Sequence, residues 1–430
     1  MTINYQALRL FGVYQQDKDN NLMLRVKIPA GVLTSDQAEA ICTLSEQFSN
    51  GILHLTCRGS IEFHWLKHEH LEGLFARLAE VGLTTRGACG GAVRGISCST
   101  TFAPGFTVVQ GIAQKLNRHF AGNPDFEGLP KKFKVGIEAG YQGSRHLIQD
   151  LGFVMTGDAG EQPTFDVWCA GGLGRLPQAS FLLAQTVPED QMIHLIESVV
   201  VVYRANTPPP KRLKFLLNTI GEEKFRQLLQ EEMTQRPQPE PPVLGEDTPL
   251  APEGSYIEIP IFGGETETSL LRQLAAIARG CAGGYLAVSA NQNIALLAAS
   301  ASETKALKSA LTQQNIKTDD PDILPSFRIC PGKHECRMGL APTRDIARSI
   351  TAAVNKTTRS SSWAISGCLN SCSQPQLADF GIVTKKLKTA DDGEKQPLFD
   401  LYRRDGNALG KCIGEELSAS TLYELIGTLK

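Results

Sequence analysis

The sequence predicts an α+β protein built by duplication, in which two similar halves carry the same two kinds of α/β unit in the same order. Three observations predict this. At 430 residues the chain is longer than one ordinary hydrophobic core. A proline-rich stretch, RPQPEPPVLGEDTPLAPEG, runs from Arg236 to Gly254 and carries six prolines. It fits neither a helix interior nor a central strand and reads as a linker. The strand and helix patterns before it also recur after it.

In order along the chain, residues 1–85 form the first unit. LMLRVKIPAGVLTSDQAEAICTLSEQF reads as strand, turn and helix, with a helix cap at Thr34 or Ser35. GILHLTCRGSIEFHWL gives two strands and HEHLEGLFARLAEVGL another helix. Residues 86–235 form a second unit, ending in the helix EEKFRQLLQEEMTQ. After the linker at 236–254, residues 255–322 repeat the first unit. SYIEIPIF opens it as a strand, GYLAVSANQNIALLAA supplies the strand pair and SETKALKSALTQQNI the helix. Residues 323–430 repeat the second: SWAIS, LADFGIV and LFDLYRRDGNALG parallel KFKVGIEAG, LGFV and FDVWCAGGLG. A duplicated chain of this kind makes a pseudo-two-fold cleft suited to a large cofactor.

Composition narrows the function. The net charge of −2 does not suggest a general nucleic-acid-binding surface, so any basic site is local. No stretch approaches the roughly 20 apolar residues of a membrane helix. The opening residues lack the basic start and apolar core of a secretion signal. The expectation is a cytoplasmic protein that contacts neither membrane nor nucleic acid, where stable disulfides are rare.

Four of the 11 cysteines are clustered. CPGKHEC places five residues between Cys330 and Cys336, and CLNSC places three between Cys368 and Cys372. Helix-like and strand-like segments lie between the pairs, so folded structure can return the second pair to the first. Gly332 and Gly367 permit sharp turns beside them. An iron–sulfur cluster needs four such thiolates. Zinc usually takes more closely spaced pairs, and a redox dithiol usually has two residues between its thiols. On spacing alone a cluster, zinc and structural thiols all stay open.

The two cysteine pairs, with FGVYQQD, LRVKIPAGV, LTCRGSIEFH, LPKKFKVGI and SANQNI in this order, resemble the sirohaem- and [4Fe–4S]-dependent sulfite and nitrite reductases over almost the whole chain. The resemblance implies duplicated ferredoxin-like half-domains plus two sirohaem/Fe–S reductase α/β domains with pseudo-two-fold symmetry. It implies that Cys330, Cys336, Cys368 and Cys372 hold a [4Fe–4S] cluster, with Cys372 also the axial ligand of the sirohaem iron. It places Arg25, Arg94, Lys132 and Lys134 around a small anion, and Arg58, Asn370, Thr56 and Gln292 on the haem. Cations suit an anion pocket, because arginine forks onto oxyanions and lysine is a compact charge that can give up a proton. Lys132 and Lys134 are two apart, so on a strand they share a face, and mutual repulsion would lower a pKa. The basic cluster Lys211, Arg212 and Lys214 either meets a cofactor carboxylate or is solvated.

The chain departs from the family pattern at His54, Gly59, Glu62, Leu369 and Ser371, which bear on cofactor anchoring. LPKKFK resembles the sulfite reductases more than the plant-type nitrite reductases, so the expected reaction is six-electron reduction of sulfite to sulfide. The alternatives are nitrite reduction to ammonia, a precorrin-3B synthase-like tetrapyrrole enzyme, and a non-catalytic relative. GGLGRLP lacks the spacing of a dinucleotide fingerprint. Electrons are therefore expected from a partner such as ferredoxin or a separate flavoprotein.

Overall fold

The computed structural model describes residues 4–101, 103–157, 162–245, 248–318, 326–355, 358–390 and 393–429. The expected boundary at 322–323, and residues 246–247 of the linker, lie outside the described residues.

The first unit holds β1 (Val13–Gln15), β2 (Leu22–Val26), β3 (Val32–Thr34), β4 (Ile52–Leu55) and β5 (Ile61–Leu66). Thr34 caps the helix Ser35–Phe48 in a capping box with Gln37, an arrangement that contributes about 1 kcal/mol. The second unit holds β6 (Val135–Glu138), β7 (Leu151–Gly157), β8 (Thr164–Cys169) and β9 (Phe181–Pro188). After the linker come β10 (Ser255–Ile259), β11 (Glu265–Glu267), β12 (Tyr285–Val288) and β13 (Ile294–Ala298). The last unit holds β14 (Ser326–Ile329), β15 (Ser362–Ser366), β16 (Phe380–Thr389), β17 (Lys395–Arg403) and β18 (Lys411–Leu417).

These strands make four sheets, in the orders β1-β2-β5-β4-β11, β10-β13-β12-β3, β6-β7-β8-β9 and β14-β15-β16-β17-β18. The first two show something the sequence did not suggest. Each half-domain lends a short strand to the other: β11 pairs antiparallel with β4, and β3 with β12. One apolar core, with Leu24, Phe63, Leu286 and Leu296, therefore runs beneath both sheets. Three-residue strands carry too few residues for their alternation to reveal a partner in the other half.

The other two sheets repeat one plan. In each, a parallel pairing is followed by antiparallel strands: β6 and β7 are parallel, as are β14, β15 and β16. The linker is not free. Ala251 is fully buried, and its N–H donates to Gln110 on the helix Phe106–Phe120 at 2.8 Å. Among the described residues, no helix is long and apolar enough to cross a membrane.

Candidate active site

The cysteine loops leave neighbouring parallel strands. Cys330 follows β14, Cys368 lies just past β15, and Ile329 pairs with Ile365. The Cys330 N–H donates to the Ile365 carbonyl at 3.1 Å, and the Gly367 N–H donates to Cys330 Sγ at 3.1 Å. Gly332 has φ +59°, and a Cβ there would lie 2.4 Å from Thr343 Oγ1. A Cβ on Gly367 would lie 2.8 Å from Gly332 Cα, so the two loops meet backbone on backbone. That contact brings both pairs together.

The thiols act on one another. Burial, then the neighbouring Cys372, raises Cys330 well above the ordinary thiol value, with Cys368 and Cys336 adding to it. Burial pushes Cys336 up to about 11, and Cys372 and Cys368 also oppose its ionisation. All four are free of disulfides. Thiols in this state become thiolates only when a cation is present, and iron supplies that charge. The donor set fits a [4Fe–4S] cluster.

The opposite wall comes from the first half. Lys132 and Lys134 flank Phe133 in the extended segment before β6. Phe133 is fully buried and bridges Val93, and the lysines are half-buried. Arg94 donates its backbone N–H to the Phe133 carbonyl at 2.8 Å. Its guanidinium donates to the carbonyls of Ala88 and Gly90, and its buried Nε has no hydrogen-bond partner. Arg25 on β2 donates to the same Ala88 carbonyl at 3.3 Å and through Nε to Glu62 at 2.8 Å. One carbonyl therefore holds the two like-charged guanidiniums side by side.

Burial lowers Lys132 to about 8, with Arg212 the next cause. Burial also lowers Lys134 well below its usual value, followed by repulsion from Lys132. The sequence points to repulsion; burial is the larger cause. Cys372 acts on both lysines in the opposite sense, so the two walls face each other. Gly174 of the GGLG loop also lies near the Leu369 carbonyl, 3.9 Å from where its Cβ would be.

Arg58 donates to Gln149 at 2.7 Å and to the Gly95 carbonyl at 2.8 Å. Burial, then Arg94, lowers it to about 9, with Arg25 and Arg212 contributing. The cleft thus holds an excess of positive charge, which fits a tetrapyrrole carrying eight carboxylates. Thr56 Oγ1 accepts from the N–H groups of Arg58 and Ser60, shaping the turn that presents Arg58. Asn370 is exposed beside Cys368. Gln292 departs from its expected cofactor role. It is buried, donates to the carbonyls of Leu55 at 2.7 Å and Ile329 at 3.0 Å, and accepts from the Ile329 N–H at 2.6 Å. Its amide is used up tying β4 to β14.

Sequence reasoning missed Asp150 and Arg145. Asp150 is fully buried and accepts from the Lys134 N–H at 2.8 Å and from Arg212 at 2.6 Å. Its signal was a lone acid immediately before the apolar start of β7. The same bond settles Arg212: it is buried against Asp150 and close enough to act on Lys132 and Lys134. Lys214 donates to the Gly172 carbonyl at 2.9 Å. Arg145 crosses between halves to Gln374 at 3.0 Å and to the Ala290 carbonyl at 3.0 Å; nothing in the local sequence distinguishes it.

Glu138, at the end of β6, is buried and accepts from Ser99 N–H at 2.8 Å and Ser99 Oγ at 2.6 Å. Burial raises it from 4.5 to about 7, against the Ser99 bonds. The folded state holds this proton after the unfolded state has lost it. Stability therefore falls as pH rises from about 4.5 to about 7 and stays lower above that. Glu138→Gln should raise the melting temperature at pH 8, reflecting on the order of 2 kcal/mol, and change it little at pH 4. Equal shifts at both pH values in thermal melts would contradict this.

The comparisons with known proteins bear on the family. The family description "Nitrite/Sulfite reductase ferredoxin-like half domain" matches residues 14–81, and "Nitrite and sulphite reductase 4Fe-4S domain" matches residues 91–237. The chain belongs to the sirohaem- and [4Fe–4S]-dependent sulfite and nitrite reductase family, and sirohaem and a [4Fe–4S] cluster are its cofactors. It is an oxidoreductase of that family. It is 25% identical over 421 residues to sulfite reductase [ferredoxin] 2 of Mycolicibacterium paratuberculosis, covering 91% of this chain and 74% of the relative. It is 26% identical over 412 residues to the ferredoxin–nitrite reductase of Synechococcus elongatus, covering 88% and 79%. The fold is similar to that of the Mycobacterium tuberculosis NirA protein, with TM-score 0.81 at 21% identity, covering 98% of this chain and 85% of that one.

Proposed function

We propose that this chain reduces sulfite to sulfide with six electrons from a one-electron donor such as ferredoxin. The observation that carries the reading is the pair Lys132 and Lys134, half-buried on one face and within the field of Cys372. Cys330, Cys336, Cys368 and Cys372 would hold the cluster, with Cys372 shared with the sirohaem. Arg58 and Asn370 would hold the haem. When bound, the two groups would relay the donor's electrons to the substrate.

The chain's own side chains do the rest. Arg25 and Arg94 offset the charge of the oxyanion and orient it. Lys132, lowered to about 8, carries a proton at neutral pH and releases it readily, as a general acid should. Lys134 shares that proton supply, so each departing oxygen leaves as water. Asp150 fixes the lysine segment through the Lys134 N–H and ties Arg212 beside it. The relatives include reductases named for sulfite and for nitrite, so the two anions are the test. Holoprotein supplied with reduced ferredoxin is expected to show a higher kcat/KM for sulfite. A higher value for nitrite would replace the sulfite reading.

A further inference from the structure

Four ionisable residues stand in one row across four strands. Arg25 on β2 pairs directly with Glu62 on β5, Glu62 with His54 on β4, and His54 with Glu265 on β11. Directly opposed residues share a face of the sheet, so the row runs from the anion pocket to the strand lent by the other half. His64, two residues from Glu62, joins it on the same face.

The middle of the row is dry and tightly packed. Glu62, His64 and His54 are 6%, 3% and 4% exposed. Glu62 Oε1 accepts from Arg25 Nε at 2.8 Å, and its Oε2 lies 3.5 Å from His64 Nε2. The His64 ring is 4.5 Å from the His54 ring between centroids, and neither His64 nitrogen has a hydrogen-bond partner. His54 Nε2 lies 3.6 Å from Glu265 Oε2, which is 2.7 Å from Arg344. Glu265 is thus paired at the far end, and Glu62 spends its charge on Arg25. Burial opposes ionisation of Glu62, but Arg25 and His64 more than offset it and hold the carboxyl well below its usual range. The groups facing Glu62 are Arg25 on β2, His64 on its own strand and His54 on β4; the Cys336 thiol feels its field. Arg25 also touches the Cys89 thiol at 3.6 Å.

A buried anion on one side of Arg25 reduces the charge that Arg25 presents on the other. We infer that Glu62 is a positioning residue that fixes Arg25 from behind and sets the charge of the pocket, so that the pocket selects singly charged anions, hydrogensulfite rather than the sulfite dianion. The inference rests on the reading of Arg25 as an anion ligand.

The electrostatic effect scales with ligand charge, and this gives the test. Nitrite is singly charged across neutral pH, whereas sulfite gains its second charge there. Binding of each anion to holoprotein is read from the haem absorption at pH 6 and pH 8. In Glu62→Gln the sulfite-to-nitrite affinity ratio should rise on the order of tenfold at pH 8 and change little at pH 6. Glu62→Asp, which keeps the charge, should retain the wild-type ratio. Should Glu62→Gln not assemble its cofactors, the paired Glu62→Gln, His64→Gln variant, with two amides in the same row, reads the same ratio. An unchanged ratio, or equal weakening of both anions, would assign Glu62 a purely structural role and overturn the inference. Wild-type holoprotein that binds neither anion would instead overturn the functional reading beneath it.

Discussion

Replacing Cys372 with serine is expected to remove the cluster and to lower turnover on the order of a thousand-fold or more. The expectation follows from where the thiol sits. Cys372 is the cysteine that acts both on its three partners and on the lysines across the cleft. It is also exposed, so its place in the fold does not depend on burial of its own side chain. A serine oxygen is a harder and less readily ionised ligand than sulfur. The other three thiols would remain, but they are one donor short of the four that would hold the cluster. Iron and acid-labile sulfide content, together with the visible spectrum, check the result. A variant with full iron content and near wild-type turnover would remove Cys372 from the site.

Lys132→Met is expected to retain the haem spectrum and lose turnover by about 10²- to 10⁴-fold. Methionine fills similar space, and the neighbouring Phe133 anchors the segment in the core. The loss should therefore appear in kcat rather than in cofactor content. Lys132 is a half-buried cation lowered to about 8 among other cations, so removing it also relieves repulsion on Lys134. Lys134 would then hold its proton more firmly and substitute poorly as a donor. Steady-state rates beside an unchanged spectrum check this, and undiminished turnover would exclude Lys132 from proton delivery.

The parts of this site that were legible in the sequence are those with local signatures. The cysteine pairs are short-range patterns, and the glycines beside them mark the turns that make the loops touch. The two-residue spacing of Lys132 and Lys134 put both charges on one face of an extended segment. Thr34 or Ser35 marked a helix start. What stayed hidden depends on which strand lies beside which. The exchange of β3 and β11 between halves leaves no local trace, because three residues do not carry a register. Gln292 looked like a polar group available to a cofactor, yet three backbone groups from two distant strands consume its amide. Asp150 is separated from Arg212 by 62 positions, and among the described residues Arg145 donates to groups in the other half, Gln374, Ala290 and Asn291. The row from Arg25 to Glu265 is invisible for the same reason: its members lie on four strands, and only the sheet order makes them neighbours.

If one cleft joins the cluster thiols, the haem and an anion pocket, then an anion entering the pocket must change the haem. The deciding experiment is the optical spectrum of protein purified without oxygen, recorded before and after reduction and then with sulfite or nitrite added. Sirohaem bands should shift when either anion binds, with the sulfite shift followed by turnover. Haem bands that respond to neither anion, in protein holding both cofactors, would contradict a shared cleft.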